Sequence, residues 1–248
     1  MVANVGIRRI LAPNPGPMTL DGTNTWIVGD MRGVVVVDPG PRNAAHIATL
    51  ASLPVRLVVV THHHHDHTDA AIEVAERVGV PLRGFDDDWC VGADPLVDDE
   101  VLDVLEAPIR VVAAPGHTAD SIALWIEHHG EHGAMVTGDT ILGRGTTVIA
   151  QPDGSVDDYL ATLDRLEGFG DARVLPGHGD ELPSLAKVVR AYREHRQQRL
   201  TEVREALARL GQDASVEAVA NLVYADVPSS VRSAVEASVA AQLTYLRG

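Results

Sequence analysis

The segment Thr61-His62-His63-His64-His65-Asp66-His67 places five imidazoles and a carboxyl group in seven consecutive positions. Neutral imidazole nitrogen is the commonest protein ligand for borderline-soft divalent metals, and the same ions accept carboxylate oxygen. The run is internal and follows directly on the apolar, largely β-branched stretch Leu57-Val58-Val59-Val60, so it is tethered to a strand and is no terminal tag. If extended geometry carries past Thr61, His62 and His64 point to one side and His63 and His65 to the other. Two imidazoles spaced by one residue make half of a metal site, and Asp66 and His67, on the turn that follows, can reach a second metal beside the first. Three later turns supply what such a site lacks: His117 in Ala114-Pro115-Gly116-His117-Thr118, Asp139 in Thr137-Gly138-Asp139-Thr140, and His178 in Leu175-Pro176-Gly177-His178-Gly179. Each follows an apolar run and sits on a Gly- or Pro-containing turn, where binding residues concentrate.

The elements that must position these residues are short strands alternating with helices. Thr25–Val28 and Val34–Val37, separated by Gly29 to Gly33, read as a hairpin. Pro41 to Leu53 reads as a helix after the Asp38-Pro39-Gly40 turn, and Leu57–Val60 as a strand buried on both faces. A helix from Thr68 to Val78 stops at Gly79; strands follow at Arg110–Ala113, Ile122–Ile126 and Ala134–Thr137. A helix at Val156–Leu166 leads into a strand at Ala172–Leu175. Hairpins mixed with strand–helix–strand units predict two sheets with helices outside. The single cysteine, Cys90, excludes an internal disulfide framework and reads as a small buried residue. No apolar run spans a bilayer, no signal-peptide pattern is visible near Arg8 and Arg9, and the expectation is a cytoplasmic protein without a membrane partner. The 248 residues carry a net charge of −15, which disfavours nonspecific binding of nucleic acid by the whole surface.

From Ser184 the pattern is helical alone, giving a domain at 1–183 and a second at 184–248. Val188, Val189, Tyr192, Val203, Leu207 and Leu210 share one side of a long helix, and Arg196 and Arg199 fall on that same side, which predicts a kink or an interface there. Ser215 caps a second helix, and Ser229 or Ser230 opens a third. Lys187 to Arg209 holds seven basic and three acidic residues, a local +4 that is either a solvated, ion-paired face or a surface for phosphates. His63 and His65 read as supporting or exposed groups, His128, His129 and His132 as a solvated turn, and His46 and His195 as helical residues.

His-x-His-x-Asp-His followed by Gly-His, Gly-Asp and Gly-His, in this order, closely resembles the metallo-β-lactamase superfamily over residues 7–182. The resemblance implies an α/β fold, an αββα sandwich with metals at one edge, and a small all-α, winged-helix-like C-terminal appendage. It implies that His62, His64 and His117 hold one metal, Asp66, His67 and His178 hold a second, and Asp139 bridges them. Two Zn²⁺ fit these donors; iron and manganese are compatible with them. Two divalent metals about 3.5–4 Å apart lower the pKa of a bridging water toward ~7, giving a hydroxide that attacks a carbonyl carbon or a phosphorus, with Asp66 orienting it and shuttling a proton. An aspartate at position 139 separates the chain from the true zinc β-lactamases. The stretches Ala12 to Thr25 and Gly138 to Thr147 are similar to the lactamase-beta-2-like branch, although Thr68-Asp69-Ala70 stands where that branch commonly has Gly-Gly, and the tail shows no strand pair for a wing. That branch implies a thioester, ester or RNA substrate. Persulfide dioxygenases, which are iron-dependent, share much of the ligand pattern and stand as the oxidoreductase alternative to hydrolysis or single-strand endoribonuclease activity. Arg144, just past Asp139, is placed to meet a phosphate or carboxylate of the substrate, and the Pro/Gly-rich loop Ala12–Gly22 to lie over the metal edge. A homo-oligomer is compatible with the sequence.

Overall fold

The computed structural model describes residues 5–105, 107–228 and 231–248. The chain builds two five-stranded mixed sheets. The first is ordered β1(Ile7–Leu11), β2(Asn24–Asp30), β3(Gly33–Val37), β4(Val55–Val59), β5(Leu82–Arg83). The β2/β3 hairpin pairs Trp26 with Val37 and Val28 with Val35, and β3 and β4 run parallel. The second is ordered β10(Arg173–Pro176), β9(Ala134–Gly138), β8(Ile122–Ile126), β7(Ile109–Ala113), β6(Val101–Leu102). The central strands correspond to the predicted ones. Strand β1, with the sequence Ile-Arg-Arg-Ile-Leu, and the two-residue strands β5 and β6 were not predicted: each is short or polar and exists by pairing at or near a sheet edge.

Alternation explains the layers. Trp26, Val28, Val35, Val37, Leu57 and Val59 point inward and meet Ile109, Val111, Ile122, Leu124, Ile126 and Val136 of the second sheet. The intervening Ile27, Val34, Val36, Val58 and Val60 face outward onto α1(Ala44–Ala51) and α3(Ala71–Val78), through Ile47, Leu50 and Val74. Both faces of β3, and of β4 from Leu57 onward, are therefore dry, which is why Val34–Val37 and Leu57–Val60 read as unbroken apolar runs. On the far side, Val112, Ala123, Met135 and Val174 pack against α4(Val156–Glu167) and the first half of α5(Leu185–Leu210). The result is the expected αββα sandwich. The predicted helix at Thr68–Val78 is two pieces, α2(His65–Thr68) and α3, broken at Asp69-Ala70 so that Ala70 N–H can donate to Gly40 O.

Helix α5 is continuous over 26 residues. Its second half, with α6(Val216–Val223) and α7(Arg232–Arg247), forms a separate cluster around Val203, Leu207, Val219, Val239 and Leu243. Ser215 Oγ accepts from Ala218 N, as its predicted capping role requires; the predicted caps at Ser229 and Ser230 lie outside the described residues. No strand accompanies these helices among the described residues. Arg196 and Arg199 mark an interface and no kink: the Arg196 guanidinium stacks on the Tyr159 ring of α4 and that of Arg199 on Tyr224. No helix is long and apolar enough to cross a membrane. Cys90 is only half-buried, its Sγ against the carbonyls of Gly84 and Asp86, which corrects the reading of a buried residue.

Leu124 is fully buried between the sheets. Leu124→Ala is expected to lower stability by about 2–5 kcal/mol, read from the urea midpoint at unchanged slope; a loss below half a kcal/mol would place Leu124 outside the packed core.

Candidate metal centre

All seven residues expected to ligate metal come together at one edge of the sandwich. Their donor atoms form three groups, each within 4.8 Å: His62, His64 and His117; His62, His67 and Asp139; Asp66, His67 and His178. The first and third groups match the two triads implied by the resemblance, and the second joins them. Asp139 spans both, with Oδ1 3.5 Å from His67 Nε2 and Oδ2 3.4 Å from His178 Nε2 and 4.0 Å from His117 Nε2. Asp66 Oδ2 stands 3.0 Å from His178 Nε2.

Polar contacts between the two sheets hold these strand ends in place. Ile122 N–H donates to Thr61 O, tying the end of β4 to the start of β8. The Asn24 side-chain amide donates to Pro176 O and Gly179 O, and the Trp26 indole also donates to Pro176 O. Two glycines preceding ligands are required by close approach. A Cβ on Gly138, at φ +47, would lie 2.5 Å from Thr61 Oγ1; one on Gly177 would lie 2.8 Å from His67 Cε1 and collide with Asp139 Oδ1.

The outward nitrogens are committed elsewhere. His67 Nδ1 donates to Asp38 Oδ2 at 2.9 Å, His117 Nδ1 to Val148 O at 2.7 Å, and His178 Nδ1 to Gly22 O at 3.1 Å. His62 Nδ1 donates to Thr61 Oγ1, whose hydroxyl donates to Asp38 Oδ2. This network assigns Nδ1–H to four imidazoles, so each turns Nε2 inward as the atom available to a metal, the arrangement that raises a ligand's basicity. His64 turns Nδ1 inward instead, 3.0 Å from His62 Nε2 and 3.1 Å from His117 Nε2. Such a trio cannot satisfy itself, since each contact can share at most one proton. Tetrahedral zinc with bonds of about 2.0–2.1 Å sets its donors about 3.3 Å apart, close to these separations. Asp139 Oδ1 is buried without a hydrogen-bond partner. Geometry, donor chemistry and an orphaned buried oxygen all fit a pair of divalent ions.

Burial, reinforced by the neighbouring imidazoles, holds His62 well below its ordinary pKa and pushes His64 down to about 4, so both are neutral at pH 7. At His178 burial acts in the same direction, but the Asp139 and Asp66 carboxylates outweigh it and raise the imidazole to about 10. Burial would likewise lower His67, yet Asp38, Asp139 and Asp66 raise it. Asp139 is held well below the carboxylate range by His67, His178 and His62 despite its burial.

Two contributors were missed in the sequence. Asp38 is fully buried at φ +52, and its carboxylate takes Thr61 N–H and Oγ1–H as well as His67 Nδ1–H. The signal available was an acidic residue directly after a run of four valines and before Pro-Gly. Asp120 accepts from His63 Nδ1 at 2.9 Å, so His63 is a supporting group, while His65 is exposed. His129 is less solvated than expected, its Nδ1 donating to Val5 O. Arg144 pairs with Asp21 of the loop at 12–22 at 2.5 Å, and Gly22 of that loop meets His178, so the loop borders the metal edge.

A family model described as the metallo-β-lactamase superfamily matches residues 18–178. The chain belongs to the metallo-β-lactamase superfamily. It is a hydrolase of that superfamily, and its His/Asp groups could hold metal ions. It is 34% identical over 242 residues to a beta-lactamase-like protein 2 homolog of Caenorhabditis elegans, covering 92% of this chain and 79% of the relative. It is 32% identical over 209 residues to an atrochrysone carboxyl ACP thioesterase of Aspergillus fumigatus, covering 80% of this chain and 64% of that protein. In fold it is similar to a metallo-β-lactamase family protein from Thermus thermophilus, with a TM-score of 0.80, 22% identity, and coverage of 98% of this chain and 93% of the other.

Two outcomes follow. With His178 raised to about 10 and His67 raised as well, the metal-free site carries protons at pH 7.5 that ligation must displace. Zinc titration at pH 7.5 in buffers of different ionisation enthalpy should therefore show proton release, with affinity rising with pH; a pH-independent affinity would contradict the assignment. Asp38→Asn should weaken zinc binding by about 10–100-fold against a chromophoric chelator, with an unchanged circular dichroism spectrum; wild-type affinity would remove Asp38 from the site.

Proposed function

We propose that this protein is a dinuclear zinc hydrolase of acyl thioesters. The observation that carries the metal reading is the continuous donor set in which Asp139 links the His62–His64–His117 group to the Asp66–His67–His178 group. Bound at these residues, divalent ions would supply a water acidified toward neutrality and polarise the scissile carbonyl oxygen.

The chain's own residues account for the rest. His62 and His64 are held neutral by burial and by the neighbouring imidazoles, and with His117 they form a half-site that contains no carboxylate. Asp139 and Asp66 bring the two carboxylates that balance the ions' charge. Asp66 is only partly buried, its side chain 29% exposed against 11% for Asp139, and is the carboxylate better placed to take the attacking water's proton. In thioester hydrolysis that proton is the main one to move: the carbon–sulfur bond breaks with its electron pair on sulfur, and a thiol of ordinary pKa about 8–9 leaves as thiolate without prior protonation. The products are a carboxylate and a thiol. No protein nucleophile is required, and half-buried Cys90 lies outside the ligand set.

Thioesters are favoured over RNA by the fate of the +4 segment. Arg190 and Arg193 of α5 pair with Glu167 and Asp164 of α4, Arg199 pairs with Glu202, and Arg196 is buried. The helix presents no continuous basic stripe of the kind that phosphate-backbone binding draws on. The 32%-identical relative that is named a thioesterase supports the same choice.

The test offers the zinc-loaded protein an acyl-pantetheine thioester, the corresponding oxygen ester and unstructured single-stranded RNA. Thiol release is expected, with kcat/KM lowered at least about 100-fold by Asp66→Ala and by His117→Ala while the fold is retained. RNA cleavage that vanishes in Asp139→Ala, without thioester turnover, would overturn the reading.

A further inference from the structure

A cavity of about 380 Å³ lies between the sandwich and the C-terminal helices. One wall is the loop at 12–22, through Met18 and Leu20; another is the segment from Leu142 to Val148; α5 and α7 close it with His195, Arg196, Arg199, Val235 and Ser238. Both non-helical walls touch the metal centre. Gly22 O accepts from His178 Nδ1, and Val148 O accepts from His117 Nδ1. The cavity therefore adjoins the catalytic edge on the side away from the sheets' core.

Its chemistry is unusual for this chain. Although acidic residues outnumber basic ones 35 to 20 overall, three arginines and a histidine line the cavity, and among the described residues no Asp or Glu does. Two of the cations are answered outside it: Arg144 by Asp21 and Arg199 by Glu202. Arg196 is not. It is 5% exposed, donates from Nη2 to Thr147 O, stacks on Tyr159, and leaves its buried Nε without a partner; among the described residues no carboxylate comes within ion-pair reach. The Arg199 Nε is also buried and unpartnered. A buried guanidinium is costly unless an anion compensates it. The positive field is felt locally, since burial first and then Arg196 and Arg199 lower the neighbouring His195. The remaining surface, from Met18, Leu20, Leu142, Tyr224 and Val235, is apolar.

We propose that this cavity binds the anionic end of the substrate, a carboxylate or phosphate carried on an apolar chain, with Arg196 as the residue that selects for it. One guanidinium fixed by Thr147 and Tyr159, beside a second on Arg199, reads a singly or doubly charged oxyanion, while the apolar wall holds the chain leading back to the scissile carbonyl. The thioester chemistry rests on the proposed function above; the anion binding does not. Arg144 then acts at the rim, tying the 12–22 loop to the 142–148 segment through Asp21, and does not itself hold the substrate.

The test measures binding and turnover separately on the zinc-loaded protein. Calorimetry compares non-hydrolysable thioether analogues in two pairs: a glutaryl against a pentanoyl chain, and pantetheine 4′-phosphate against pantetheine. One pair should show about a 10–100-fold preference for the charged member, identifying whether the anion lies on the acyl or the thiol side. Arg196→Met should erase that preference at unchanged zinc content, and Ser238→Trp, which fills the cavity from α7 while leaving the α5 arginines and the metal turns unsubstituted, should weaken binding of the charged member likewise. In turnover of the matching thioesters, Arg196→Met should raise KM for the charged substrate by a larger factor than for the neutral one. The proposal is overturned by equal binding within both pairs, or by a preference that survives either variant. Anion preference without thioester turnover would uphold the cavity and overturn the thioesterase reading instead.

Discussion

The metal edge depends on one buried carboxylate. Asp38 directly follows strand β3 and its four valines in a left-handed backbone conformation, and its two oxygens take the backbone and hydroxyl donors of Thr61 and the Nδ1–H of His67. Through the Thr61 hydroxyl the same carboxylate also sets His62. One group in the core thus fixes the tautomers of two candidate ligands that belong to different halves of the site. A buried acid with fewer donors would be costly; with three it becomes the anchor to which the β4 end is registered.

Everything else about the site is a matter of bringing four separate turns to that anchor. Parallel pairing of β3 with β4 and of β9 with β10 brings the C-terminal ends of neighbouring strands to one edge, so the turns after β4, β9 and β10 share it. The Thr61–Ile122 hydrogen bond and the Asn24 and Trp26 contacts to Pro176 lock the two sheets at that edge, where a slip would separate the ligands. The glycines before Asp139 and His178 permit backbone approach that any Cβ would block. Rigidity of this kind is what a two-ion site needs, because donors held at the right spacing lose little freedom on binding.

Much of this was legible in the sequence because ligand chemistry is local. Imidazoles and a carboxyl group crowded after the Leu57–Val60 run, with His117, Asp139 and His178 each on a Gly-containing turn after an apolar run, include the same seven residues that the fold gathers. The sandwich was legible for a related reason: strands buried on both faces leave uninterrupted apolar runs. Asp38 was not, because an acid before Pro-Gly looks like a turn residue until its partners, 23 and 29 positions away, are known. The polar strand β1 and the two-residue strands β5 and β6 owe their existence to neighbours and leave no periodic trace. The charge of α5 was legible and its meaning was not: Glu167 and Asp164 on α4 neutralise what the helix alone would present, and Arg196, which looked like a misfit on an apolar face, is the cation of the interface cavity.

The most direct measurement of the central claim is elemental analysis of the protein after metal-replete expression and exhaustive dialysis. Two divalent ions per chain, zinc predominating, is the predicted result, with loss of metal in Asp139→Ala because that side chain faces both donor groups. A wild-type content near zero, or one ion per chain undisturbed by the loss of Asp139, would contradict a dinuclear centre.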